Sequence, residues 1–551
     1  MMNRRFGLPA ALLIVLVFVW SVRLLPWNNY APNYPADAWN AAKQTFGGSG
    51  SSSDSSSSNS NGASDSPSSP ASSSAPLAPA NNPPAGAADA AAAGGIDASH
   101  VQMFFDQTFA NEPTTTFPYT ELRAACAAAD WDTDEAYLNC VGIEAGLTSI
   151  VSQVKVCFKM AVDTGSHLVL PRMPLRDSHN LREFNFLNGD AYLPYDQWFD
   201  AAHVRAQLAD VCPRMRILDP EVLSDDRNPN HNASAPVSAG SADQPKIAVR
   251  RRLSISCGDA PFYQKIHSYF WVGRPFKTFF FDQFHKKQEA ADAAEAEAAA
   301  AAANATDSDS DSAAVVPRAA SNPDGITVVD IDSEFLLFRI TDDPTRRDLR
   351  LWTELAHLVR FRADVRAVVA TVLARLPPAA NYFGVHFRAE NDSIWSPAEH
   401  QLAVDLDALD RAWTQFGNAG ETDAGAAAAD KPPVYLACGD PEQIKQFEAA
   451  AAARGWTTTD KWKLAAAGGS DTETTDAINR LAFDFQGAID LGVMLRSRFF
   501  IGVQGSAFSS TVGNHRDVTG RYRGSSFEMP DEGARTHLFN DLDATEYACC
   551  L

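Results

Sequence analysis

Apolar and polar positions alternate along residues 382–390 (YFGVHFRAE). Phe383, Val385 and Phe387 fall on one face, and Gly384, His386 and Arg388 on the other, which is the period-two signature of a strand. Asn391, Asp392 and Ser393 follow at once and break it. On either side, short apolar runs alternate with segments of helical period. Leu147, Ile150, Val151, Val154, Cys157 and Met160 predict a helix that stops at Gly165, ahead of a strand over 167–171 (HLVLP). Short strands are predicted at 326–330 and 335–338, then a long amphipathic helix over 351–376 and another over 402–416. A strand at 434–438 (VYLAC) leads into a helix over 441–454. A helix over 475–495 precedes a strand at 499–502 (FFIG), and 504–510 (QGSAFSS) opens a last helix. Strand and helix in turn predict an α/β fold with mostly parallel sheets.

The ends and the biased stretches divide the 551 residues. Arg4 and Arg5 precede an apolar run, 6–22, that Arg23 closes. As a helix it spans roughly 25 Å, enough for a short transmembrane segment. The sequence around Val19–Arg23 lacks a small-residue cleavage site, so the run reads as an uncleaved signal-anchor. The positive charges hold the N-terminus in the cytosol and put the bulk in the lumen. Residues 1–46 therefore form the tip, anchor and juxtamembrane segment. Residues 47–95, rich in Ser, Ala and Pro, have too little apolar surface to fold and read as a stalk. A first folded block is expected at 96–285, a low-complexity insert at 286–321, and a second folded block at 322–551. Further polar stretches lie at about 225–244 and 417–431.

Composition narrows the partners. The formal net charge of −22 argues against nucleic acid. Eight cysteines suit an oxidising lumen, though their pairing is not readable from the chain, and the absence of a CxxC pair argues against a zinc ribbon. Sequons at Asn232 and Asn304 are expected in surface loops as N-glycan sites. A third, at Asn391, is expected to stay unmodified because a glycan would block the end of the 382–390 strand.

Ligands in open α/β sheets sit beyond the carboxyl ends of strands, and Arg388, a forked permanent cation, ends one of them. A phosphate suits it; a surface ion pair is the plainer reading. Ser506 and Ser509 stand in a small-residue strand-to-helix turn, the geometry of an anion site or of an ordinary helix cap. Gly439 and Asp440 form a similar turn. Asp490, in an otherwise apolar helix, needs a partner: a base, a ribose, a backbone group or Arg496. Asp330 and Asp332 form a DxD pair, a possible oxygen-ligand set for a divalent metal on a nucleotide diphosphate. Pro171 and Arg172 close the 167–171 strand much as Arg388 closes its own; Arg172 or Arg176 could face a cleft between the two blocks, but surface positions are the plainer expectation.

Four segments in order resemble the GDP-fucose protein O-fucosyltransferase-like family, especially its divergent fungal, membrane-anchored branch. They are Gly146 with its helix and the 168–171 strand, the His386-x-Arg388 motif, the 434–440 strand and Gly-Asp turn, and Asp490 with the 500–509 motif. The resemblance covers about 140–516 without the inserts. It implies a GT-B fold of two Rossmann-like domains facing a cleft. It implies inverting, metal-independent transfer from GDP-fucose, with no cofactor beyond that donor, to a glycan or glycoprotein acceptor. By this likeness Arg388 is catalytic and binds the β-phosphate. His386, Asp490, Ser506, Phe508 and Ser509 contact the nucleotide sugar. With the anchor, the reading is a single-pass type II enzyme of the Golgi or endoplasmic reticulum membrane. Two departures stand out. Leu147, Thr148, Ser149 and Ile150 replace the asparagines and arginine usual after the family's glycine, and Ala389 replaces a second arginine. The alternatives are a metal-dependent transferase using Asp330 and Asp332, or a catalytically silent relative that binds glycan or protein.

Overall fold

The computed structural model describes residues 98–131, 136–177, 181, 192–224, 238, 244–261, 269–272, 274–305, 325–332, 337–340, 347–378, 381–390, 396–417, 430–467, 472–503, 506–516 and 535–539. All belong to one compact unit, residues 63–551. The expected anchor at 6–22, the stalk, Asn232 and Asn391 lie outside the described residues. Among the described residues no helix is long and apolar enough to cross a membrane.

The first half contains α1 (Ala98–Thr108), α2 (Thr120–Ala128), β1 (Ala136–Val141), α3 (Leu147–Thr164), β2 (His167–Val169), β3 (Met173–Pro174), β4 (Tyr192–Leu193), α4 (Ala201–Val211), β5 (Ile217–Leu218), β6 (Leu223–Ser224), β7 (Ile247–Ser256), β8 (Tyr269–Val272), α5 (Arg274–Ala305) and β9 (Ile326–Asp332). After β10 (Leu337–Ile340), α6 (Arg347–Leu355) and α7 (Ala363–Ala374) come β11 (Phe383–His386), α8 (Ala398–Phe416), β12 (Val434–Ala437), α9 (Pro441–Ala453), β13 (Thr458–Thr459), α10 (Lys461–Ala466), α11 (Glu473–Arg480), α12 (Phe483–Leu495), β14 (Phe499–Val503), α13 (Ala507–Arg516) and β15 (Thr536–Phe539).

Two parallel sheets organise these elements. The first runs β5-β2-β1-β9-β7-β6 and the second β13-β12-β11-β14-β15. The first corrects the expected block boundary. Strand β9, placed by chain order in the second block, sits between β1 and β7, with Leu138 opposite Val329 and Leu253 opposite Val329 on its other side. Its residues from Thr327 to Ile331 are buried, so only a central position satisfies both its faces and both its edges. The excursion through α5 separates it in sequence from the strands it joins. Part of the expected insert is this helix: α5 runs 32 residues, and Asn304 lies in its last turn rather than in a loop. The alanine-rich composition that looked unstructured is also a strong helix former.

Helix α3 forms as its spacing predicts and stops at Gly165, whose φ is 66°. A Cβ there would lie 2.0 Å from the Asp130 carbonyl oxygen, so both the left-handed turn and the close packing require glycine. The predicted helix over 351–376 breaks instead at 356–362. Arg360 turns inward, where its guanidinium donates to the carbonyls of Gln107 (2.8 Å), Ala110 and Asn111 (2.9 Å) at the end of α1. These acceptors and the negative end of the helix dipole outweigh helical continuity. The predicted helix over 475–495 likewise divides into α11 and α12, and Gln486 closes α11 by donating to the Ile478 and Leu481 carbonyls.

One apolar core runs from α1 and α3 through α7 and α12 to Tyr435 and Phe500 of the second sheet. A separate core lies on that sheet's other face, with Phe383, Val385 and Phe387 in it, as the alternation predicts. Two disulfides pin the first half: Cys126–Cys212 joins α2 to the end of α4, and Cys140–Cys157 joins β1 to α3.

Candidate functional site

The end of β11 is built to hold one residue still. Gln401, fully buried on α8, accepts from the Arg388 amide (2.9 Å) and donates to the Arg388 carbonyl (2.8 Å) and the Ser396 carbonyl (2.7 Å). The side-chain amide continues the ladder where the strand stops. The Arg388 guanidinium then pairs with Glu390, Nη1 to Oε2 at 2.5 Å. The other Glu390 oxygen accepts from the Gly439 amide at 2.8 Å, in the turn between β12 and α9. Burial alone would push the Glu390 carboxyl up, but the Arg388 charge and the hydrogen bonds hold it down at about 2. It is a carboxylate at every working pH. Asp440 caps α9 through the Glu442 and Gln443 amides, the plainer of the readings for that turn.

His386 lies one position back on the same face as Arg388, its Nδ1 2.6 Å from the Ser509 hydroxyl. That hydroxyl also accepts from the Val503 amide at 3.0 Å. Burial lowers the imidazole to about 3, against the opposing pull of Glu390. The ring is therefore neutral. Phe508 packs 4.4 Å from this ring, centroid to centroid. Ser509 reaches the strand because position 502 is glycine: a Cβ there would stand 2.4 Å from its Oγ. Ser506 is buried at the start of α13, and its carbonyl accepts the Ser510 amide. The structure thus brings His386, Arg388, Phe508 and Ser509 to one strand end.

Asp490 stands apart from this group's hydrogen bonds. Its carboxylate accepts from Tyr435 Oη (2.8 Å) and Lys461 Nζ (2.6 Å) inside the core. Burial pushes its carboxyl up, and Lys461 draws it back. The partner that the helix position demanded is a lysine two elements upstream, α10 being invisible in the apolar pattern.

Arg172 and Arg176, expected at the surface, are both buried. Arg172 pairs with Glu221 at 2.7 Å and donates to the Tyr192 carbonyl. Arg176 crosses to the second half. Its Nε and its amide bond the two oxygens of Asp484, at 3.0 and 3.1 Å, and its guanidinium lies 5.3 Å from the Phe483 ring. The same guanidinium covers Gly146 at the start of α3, where a Cβ would meet Nη2 at 2.9 Å. Phe483 also packs on Gly439, 3.0 Å from where a Cβ would be. Loops after β1, β2, β11 and β12 therefore meet along one rim. A desolvated ion pair across two sheets explains why strand-end arginines need not be superficial.

The DxD pair separates. Asp330 is buried, with Oδ1 accepting from Arg252 (2.6 Å) and Asn139 (2.6 Å), so it neutralises a β7 arginine within the sheet. Asp332 lies against Gly142 in the loop after β1. Among the described residues no group of three or more His, Cys, Asp or Glu could hold a metal ion.

One group escaped the sequence reading. Glu144 sits in the β1–α3 loop, its backbone clipped at both ends by Gln153 (2.6 and 3.3 Å). Burial, then the charge of Asp332, pushes its carboxyl up. The next residue, Ala145, has φ 89°, a costly conformation for a residue with a Cβ. A carboxylate between two glycines after a strand was the available signal.

The chain matches no family model and no curated protein. Among solved structures it is similar to POFUT1 in complex with GDP, at 12% identity over 75% of this chain and 100% of that chain, TM-score 0.35. It is similar to the fucosyltransferase NodZ from Bradyrhizobium, at 13% identity over 67% and 88%, TM-score 0.28. A mutant of Arabidopsis thaliana FUT1 in complex with GDP matches at 11% identity over 76% of each chain, TM-score 0.33.

Proposed function

We propose that this chain is a glycosyltransferase that moves fucose from GDP-fucose to a glycan or glycoprotein, with inversion and without a metal. The observation that carries the reading is Arg388, clamped at the carboxyl end of β11 beside the neutral His386 and the start of α13. It lies on the rim where loops from both sheets meet. The order of the four sequence segments supports the donor. In this reading an acceptor hydroxyl oxygen attacks C1 of the sugar as the C1–O bond to the β-phosphate breaks. The electron pair leaves with the diphosphate, where Arg388 neutralises the growing charge. Glu144 receives the hydroxyl proton; its raised affinity for protons suits a base better than an ordinary surface carboxylate would. His386 and Ser509 fix the wall of the donor site. Residues 6–22 anchor the protein in a Golgi or endoplasmic reticulum membrane, with the rest lumenal.

The test uses the full-length protein in detergent. A thermal-shift series with GDP, UDP and ADP, with and without chelator, should show stabilisation by GDP that chelator does not remove. GDP-fucose hydrolysis should then be measurable and fall on Arg388→Ala. No shift with any nucleotide, together with no hydrolysis, overturns the reading.

A further inference from the structure

We propose that Glu390 is a built-in competitor for the donor's phosphates, a positioning residue that sets how tightly the nucleoside diphosphate is held and so how readily it leaves. The inference rests on the donor reading above. Three observations carry it. The Glu390 carboxylate occupies an Nη position of the one cation that ends β11, with its side chain only 11% exposed and that of Arg388 20% exposed. Its second oxygen is anchored on the Gly439 amide, so it cannot swing away without releasing the β12–α9 turn. The seat is close-fitting, since a Cβ at Gly439 would lie 3.0 Å from Oε1. A surface ion pair would not need the amide.

A diphosphate arriving at Arg388 meets a fixed negative charge on the same guanidinium. It shares the cation with Glu390 or displaces it, and either way the like charge weakens its hold. The arrangement penalises a ligand in proportion to the charge it brings to this spot, and leaves nucleoside contacts untouched. It favours release of the product, which carries more negative charge on its terminal phosphate than the sugar-capped donor does. Anchoring on Gly439 also links the carboxylate to Phe483, hence to Arg176 and the α3 start, so the competing charge is held from both sheets.

The experiment is calorimetric titration of the full-length protein, wild type and Glu390→Gln, with GDP and with guanosine. The amide oxygen of glutamine can still accept from Gly439, so the turn is preserved while the charge is lost. GDP should bind roughly tenfold tighter to Glu390→Gln, guanosine should be unchanged, and kcat should fall as product is retained. A purely structural Glu390 would shift both ligands together or neither, and that result overturns the proposal. If Glu390→Gln does not accumulate as folded protein, Glu390→Asp serves. It keeps the charge but draws it back by one methylene, and should tighten GDP by a smaller factor; unchanged or weaker binding overturns the proposal equally. Wild-type protein that binds GDP, loses it on Arg388→Ala, and shows no gain in Glu390→Gln refutes this inference alone. Wild-type protein that binds no nucleotide refutes the donor reading instead.

Discussion

Both sheets carry arginines in or just beyond their strands, but the arginines are held differently. In the first sheet and its loops, Arg172, Arg252 and Arg176 reach partners 49, 78 and 308 residues away. Their side chains are 5%, 6% and 10% exposed. These cations are part of the frame. In the second sheet, Arg388 pairs with Glu390 two residues along and is more open to solvent. Long-range pairing makes an arginine a structural tie, because removing it strands a distant buried carboxylate. Short-range pairing leaves a cation that can be shared with a ligand.

The contrast can be broken by substitution. The largest effect expected is on chemistry: Arg388→Ala should lower transfer from the sugar nucleotide by about 10³, with a melting temperature close to wild type. Equal losses of stability and rate would erase the distinction. Arg252→Ala should do the reverse, leaving Asp330 buried without its cation and costing about 3–5 kcal/mol in denaturant unfolding. A loss under 1 kcal/mol would make this pair ornamental. Glu144→Gln should leave GDP affinity within about twofold while lowering kcat by about 10²-fold or more, separating a proton acceptor from a donor contact.

The smallest effects concern pH. Asp405 is fully buried, both of its oxygens lack a hydrogen-bond partner among the described residues, and burial pushes its carboxyl well up. The folded state therefore keeps a proton that the unfolded state loses above about pH 4, so this group weakens the fold as pH rises. Asp405→Leu should raise the melting temperature at pH 7 by roughly 2–4 °C, with the gain shrinking toward pH 4. His357 and His537 act in the opposite sense. Burial lowers both, His537 to about 4, so the unfolded chain takes up protons that the folded one refuses as pH falls below about 6.5. Stability should decline from pH 6.5 toward 4, by up to about 1.4 kcal/mol per unit for each ring. A flat profile over that window would contradict their burial.

How much of this was legible depended on range. The alternation at 382–390 placed every side chain on the correct face, and Gly165 and Asp440 ended and began their helices as expected, because these are decisions made within a few residues. Glu390 stands two residues from Arg388, but no local pattern said it would reach Gly439. The burial of Arg172 and Arg176 depends on Glu221 and Asp484, which no spacing connects to them. The break at 356–362 comes from carbonyls at the end of α1, some 250 residues earlier. Strand β9 was recognised as a strand but given to the wrong sheet, since an apolar run does not name its neighbours.

The position of β9 also constrains how the protein is made. Its Asp330 bonds Asn139 of β1 across 191 residues. At ordinary synthesis rates that interval lasts roughly ten to forty seconds. Until it ends, β1 and β7 each present an open edge that no local segment covers, the kind of edge that pairs with strangers. A chain cut anywhere between α5 and β9 would keep those edges for good. Residues 96–285 alone therefore lack the central strand of the first sheet, and the first half of this molecule is finished only after more than half of it has been synthesised.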